Sequence, residues 1–124
     1  GLVAMSDSGA WLAVAVGEPP GMNQHVRVFS NVGSDGVLLG APRLLLSLPR
    51  VAQALAVQQA PGRDSACFVA IGEELVDAAA AFIEVISVPS SGPHSCVYRL
   101  EVSSPCSFLG FCHRSAAHLL SAQV

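Results

Sequence analysis

Cys106, Cys112, His113 and His118 form the one cluster of thiols and imidazoles in this sequence. Such residues hold zinc, or pair a thiol with a base for nucleophilic attack. Structural zinc sites favour closely spaced cysteine pairs, whereas these residues run C-x5-C-H-x4-H, and nothing in the pattern supplies a base to lower a thiol pKa. They read first as structural cysteines and turn or surface histidines. A mixed α/β enzyme or a metal-binding domain built on the same four residues is the alternative. Ser6-Asp7-Ser8-Gly9 has neither the G-x-S-x-G nor the P-loop pattern. It reads as a tight turn, with Asp7 and Gly9 suited to local hydrogen bonding and positive φ. The remaining candidates are carboxylates. Glu18 sits in one predicted insert, and Glu73, Glu74 and Asp77 sit in a second at the equivalent place, so equivalent loops would gather the four into an acidic docking surface for a basic partner.

Those residues sit among recurring apolar segments. Trp11-Leu12-Ala13-Val14-Ala15-Val16 returns 56 residues later at Cys67-Phe68-Val69-Ala70-Ile71, and once more at His118-Leu119-Leu120-Ser121-Ala122. His25-Val26-Arg27-Val28-Phe29-Ser30 returns 57 residues later at Phe82-Ile83-Glu84-Val85-Ile86-Ser87. A recurrence at nearly fixed offset, with turn residues between, is the mark of stacked β units. The predicted strands are 1–5, 11–16, 25–30, 43–48, 51–57, 67–71, 82–88, 96–102, 107–111 and 118–122. Segment 11–16 is apolar on both faces and should be covered on both. Segment 96–102 alternates Tyr98, Leu100 and Val102 with Arg99 and Glu101, as a half-exposed outer strand does. Leu44, Leu45, Leu46 and Leu48 would expose leucine on another outer strand, which calls for a cover. Residues 73–82 also favour a short helix, with acids at the start and an alanine run. A helix there and over 51–59 would make an α+β domain instead.

Composition narrows the function classes. The chain is 52% hydrophobic and 12% charged, against roughly 25% charged for an ordinary soluble domain. Its apolar runs fall far short of the roughly 20 residues that cross a bilayer, so the surplus points to protein neighbours rather than membrane insertion. It has six arginines, no lysine and a formal charge of −3. The arginines are scattered singly, which makes nucleic acid a poor partner. Four cysteines are too few for a disulfide scaffold, which suggests reduced thiols in a cytoplasmic setting.

Ser6-Asp7-Ser8-Gly9-Ala10-Trp11-Leu12-Ala13, followed by Val26-Arg27-Val28-Phe29-Ser30, resembles a WD-repeat blade. In that family a Ser-Pro-Asp-Gly turn precedes an apolar strand, and a Val-Arg-Val-Trp-Asp strand closes the motif. Phe108-Leu109-Gly110-Phe111 with Leu119-Leu120-Ser121-Ala122 repeats the first half. Phe29-Ser30 and Ile86-Ser87 stand where the family has Trp-Asp, so packing must replace the family's hydrogen-bond network. The inserts at 17–24 and 72–81 are similar to those of echinoderm microtubule-associated-like proteins and their ciliary relatives. The resemblance implies an all-β fold: a β-propeller segment of about two four-stranded antiparallel blades, 1–50 and 51–104, plus the start of a third at 105–124. It implies a non-catalytic scaffold without cofactor in an intracellular multiprotein assembly. The expected partners are other proteins, including the remaining blades of a closed propeller, and tubulin if the narrower likeness holds. A small-ligand-binding β domain is a further option.

Overall fold

A computed structural model describes residues 1–17, 22–30, 42–60, 67–74, 81–89, 92–104, 106–111 and 119–123. Its described residues form strands and connections, with no helix among them. The strands are β1 (Leu2–Met5), β2 (Trp11–Val16), β3 (His25–Ser30), β4 (Leu44–Ser47), β5 (Val51–Gln59), β6 (Cys67–Glu74), β7 (Ala81–Val88), β8 (Ser95–Val102), β9 (Cys106–Phe111) and β10 (Leu119–Gln123). They form two four-stranded antiparallel meanders, β1-β2-β3-β4 and β5-β6-β7-β8, and a hairpin, β9-β10. The β-branched and aromatic content of these runs suits a pleated, packed surface. Both regions weighed as helix differ from that reading: 51–59 is strand throughout, as are Glu73, Glu74, Ala81 and Phe82, while 75–80 lies outside the described residues.

The β1–β2 turn forms as the Ser-Asp-Ser-Gly run predicts, but serine makes the bonds. The Ser6 N–H donates to the Trp11 carbonyl at 3.0 Å and the Gly9 N–H to the Ser6 carbonyl at 2.9 Å. The Trp11 N–H donates to Ser6 Oγ at 3.1 Å and the Ala10 N–H to Ser8 Oγ at 3.3 Å. Gly9 adopts φ +74°, where a Cβ would be strained.

Alternation along each strand fixes what each sheet face meets. Trp11, Ala13, Ala15, Val26, Val28 and Leu44 point from the first sheet into one core, together with Val57, Cys67, Val69, Ile71, Ile86 and Val88 of the second. The opposite face of the second sheet, with Ala54, Ala56, Ala70 and Ile83, meets Cys106 and Leu109 of β9 in another core. The middle sheet is therefore covered on both sides, and the three sheets stack in sequence order through their first strands. Burial of Cys67 pushes its thiol up to about 12, and burial also raises that of Cys106. Both are packing groups rather than nucleophiles.

Pairing corrects the offset of the repeat. Antiparallel partners sum to 41 across β2–β3 and to 155 across β6–β7, a difference of 114. A single spacing shared by both strands must therefore be 57, and 56 and 57 cannot coexist. Trp11 thus corresponds to Phe68, and Cys67 faces Trp11's core from the other side. A one-residue slip exchanges the faces of a strand, so the correction decides which surfaces are equivalent. With it, the rung Val3–Val14–Arg27–Leu45 matches Leu55–Ile71–Glu84–Arg99, and Ala4–Ala13–Val28–Leu44 matches Ala56–Ala70–Val85–Tyr98.

Close approach of the second sheet to β9 depends on Gly72. A Cβ there would lie 3.1 Å from Cys106 Cβ and 3.4 Å from Ala54 Cβ, and neither contact is the far end of a flexible side chain. Gly72→Val is expected to destabilise the fold by about 1–3 kcal/mol through overpacking, read from the denaturant midpoint. An unchanged midpoint would contradict the close packing of β9 on this sheet.

Candidate functional site

Two features stand out, and both follow from the stacking. The first is the bare side of the first sheet. Alternation places Val3, Met5, Leu12, Val14, Val16, Phe29 and Leu45 on the face opposite Trp11, with Arg27 among them. Val3 is 70% exposed, Leu45 66% and Met5 55%, and Arg27 is exposed too, while Leu12, Val14, Val16 and Phe29 are half-buried. Of the four leucines the sequence places on an outer strand, Leu45 is exposed and Leu46 half-buried, whereas Leu44 and Leu48 are buried in the core because alternation and the turn into β5 direct them inward. By register this face corresponds to the second-sheet face that packs on the first sheet. It has the composition of a packed surface and no cover among the described residues.

The second feature is an ionic cluster at the mouth between the first two sheets. The β4–β5 connection crosses that mouth, pinned by the Leu48 N–H donating to the Gln24 carbonyl at 2.7 Å and the Ala52 N–H to the Asn23 carbonyl at 2.8 Å. Arg50, on this connection, places Nη1 3.8 Å from Glu73 Oε1 and 3.6 Å from Glu84 Oε1. From β8, Arg99 places Nε 3.4 Å from the same Glu84 oxygen, since Arg99 is Glu84's cross-strand partner. Both guanidinium groups stack on the Phe82 ring, at 4.4 and 4.5 Å from its centre. The cluster lines an open cleft of about 400 Å³ with Leu46, Ile86 and His94 on its walls.

Glu73 is the deepest member. Its side chain is fully buried and neither carboxylate oxygen has a hydrogen-bond partner among the described residues. Loss of solvation is the main force raising its pKa from the ordinary 4.5 to about 7; the neighbouring Glu84 charge adds to it and the Arg50 charge opposes it. The cluster ties the connection to β6, β7 and β8.

The acidic surface expected of Glu18, Glu73, Glu74 and Asp77 is reshaped by the length of β6. That strand runs through Gly72 to Glu74 because Ala52 and Val51 pair with Glu73 and Glu74. Glu73 and Glu74 consequently point to opposite faces of the sheet: Glu73 is buried in the ionic cluster, and Glu74 is half-buried and accepts from Gln53 Nε2 at 3.2 Å. Glu73 is not a loop residue available to a partner. Glu18 and Asp77 lie outside the described residues. So do Cys112, His113 and His118, while Cys106 is buried against Gly72. No group of three or more metal-ligating side chains occurs among the described residues. Arg50, Phe82 and Arg99 were not singled out by sequence reasoning, because only the fold brings these separate segments together.

No protein-family model, curated protein or solved structure matches this chain.

Proposed function

We propose that the chain is a non-catalytic interaction scaffold: a segment of a WD-like β-propeller whose uncovered first-sheet face seats against a further β-sheet of a multiprotein assembly. One observation carries this. The face bearing Val3, Met5, Leu12 and Val14 is the register equivalent of the face bearing Leu55, Val57, Val69 and Ile71, which the preceding sheet covers. A contiguous apolar surface of this kind marks an interaction site. The neighbour it fits presents a face like Trp11, Ala13, Ala15 and Val28, with small alanines beside one large ring. Closed propellers have about four to eight blades, so such a neighbour continues the stack. An intracellular, microtubule-associated or ciliary setting with tubulin as partner is the finer form of the proposal, and rests on the insert resemblance alone.

The test is quantitative affinity capture with the wild-type chain and with a Val3→Glu/Leu45→Glu variant shown by circular dichroism to keep its strand content. Both sites are on the surface, so the variant should fold. A set of proteins held by the wild type and lost from the variant is the expected result. Identical capture by the two would refute the docking face. Stoichiometric zinc in the purified protein would favour the enzyme or metal-binding alternative on Cys106, Cys112, His113 and His118.

A further inference from the structure

The outer edges of the two complete meanders differ. β4, the edge of the first, is four residues long, Leu44–Ser47, and is followed by Pro49. The Arg43 side chain just before it reaches across to the second sheet, its Nη2 donating to the Pro89 carbonyl at 2.7 Å. A short edge strand is a standard protection against edge pairing. β8, the edge of the second, is eight residues long, contains no proline or lysine, and is exposed along nearly its whole length. Tyr98 and Val97 are each 53% exposed and Leu100 44%. Among the described residues no strand pairs with its outer side. A bulge where β7 steps from Val85 to Ile86 kinks the start of β8 at Val97, which leaves Tyr98–Arg99–Leu100–Glu101–Val102 as its regular stretch.

That stretch is its own complement. Paired antiparallel about Leu100, Tyr98 meets Val102, Arg99 meets Glu101, and Leu100 meets its own copy. Arg99 and Glu101 share the face that carries Glu84 and Phe82, while Tyr98, Leu100 and Val102 share the other, so both sides of the new ladder match. Moving the pairing by one rung in either direction sets Arg99 against Arg99 or Glu101 against Glu101, and like charges directly opposite are destabilising. We infer that β8 is a self-association edge, on which a second copy of this chain adds its own β8 antiparallel, centred on Leu100, to join the two second sheets into one continuous eight-stranded sheet. The interface is isologous, closes at two copies, and uses the strand edge rather than the uncovered first-sheet face. It therefore stands or falls separately from the scaffold reading. A five-residue ladder is a small interface, so the association is weak and reversible.

Sedimentation equilibrium of the whole chain up to sub-millimolar concentration tests the inference, together with two surface variants. The wild type is expected to pass reversibly from monomer to dimer. Glu101→Arg, which opposes two arginines at each end of the ladder, is expected to weaken the dimer at least tenfold. In a Cys96→Ser background, Leu100→Cys is expected to give a disulfide-linked dimer on mild oxidation, because directly opposed Cβ atoms lie roughly 4.5–5.5 Å apart. Tyr98→Cys alone should not cross-link, whereas mixed Tyr98→Cys and Val102→Cys chains should. A monomer at every concentration overturns the inference, including the case in which the edge captures an extended peptide of another protein. A dimer indifferent to Glu101→Arg, or one abolished by Val3→Glu/Leu45→Glu, overturns it in favour of a different interface.

Discussion

Trp11→Ala is expected to lower the unfolding free energy by about 3–5 kcal/mol, the range for truncating a buried tryptophan that leaves a cavity. Trp11 is 2% exposed and lies in the core shared by the first two sheets. Its backbone bonds to Ser6 do not involve the indole, so alanine keeps the turn and loses only packing. Around it the inner strands carry alanine, with Ala13 and Ala15 fully buried, and residues this small cannot reach into the space the ring leaves. Phe29→Ala, on the uncovered face of the same sheet, is the comparison. Phe29 is only half-buried, and its truncation should cost well under half as much. Denaturation followed by far-ultraviolet circular dichroism measures both, because Trp11 is the only tryptophan and its emission disappears with it. A cost below about 1 kcal/mol for Trp11→Ala would mean that the first two sheets do not share a core.

Glu73 gives the second large effect, and it depends on pH. In the folded chain its pKa is raised to about 7, mainly by burial, from an ordinary 4.5. Between those values the folded state holds a proton that the unfolded state has lost, so stability falls as pH rises through the window and is level on either side. At roughly 1.4 kcal/mol per pH unit, the fall is on the order of 3 kcal/mol. Glu73→Gln keeps the shape and removes the titration. The difference in unfolding free energy between variant and wild type should be flat below about pH 4.5, grow in the variant's favour up to about pH 7, and then level off. Taking the difference cancels the carboxylates that do not neighbour Glu73. A difference independent of pH would show that Glu73 is not buried beside Glu84.

Local pattern was enough to place the strands and to separate the sheets. Trp11–Val16 and His25–Ser30 have the limits their apolar runs predict, because both strands are packed and end at turn-forming or polar residues. The leucines of 43–48 were legible only in part: Leu45 is exposed as expected, but Leu44 and Leu48 are buried. β8 differs from its half-exposed pattern in being exposed on both faces, since it is the outermost strand. The register between repeats was not legible: degenerate apolar runs align as well at 56 as at 57, and only the pairing of two strands that share one spacing selects the second. Nor was the place of Glu73. A glycine followed by two glutamates reads as a loop, and its burial depends on Arg50 arriving from a different connection, with Phe82 and Arg99 beside it. Ionic clusters assembled from several strands leave no periodic trace along the chain.

Methyl nuclear Overhauser spectroscopy is the most direct measurement of the stacking itself. β5 is the middle layer, with Leu55 and Val57 turned toward the first sheet and Ala54 and Ala56 toward β9. The methyls of Leu55 and Val57 should therefore show cross-peaks to first-sheet residues such as Ala4 and Trp11, and those of Ala54 and Ala56 to Leu109. Cross-peaks with the two sets exchanged, or backbone contacts placing β3 and β7 side by side in one sheet, would contradict the stack of separate sheets on which the proposed scaffold depends.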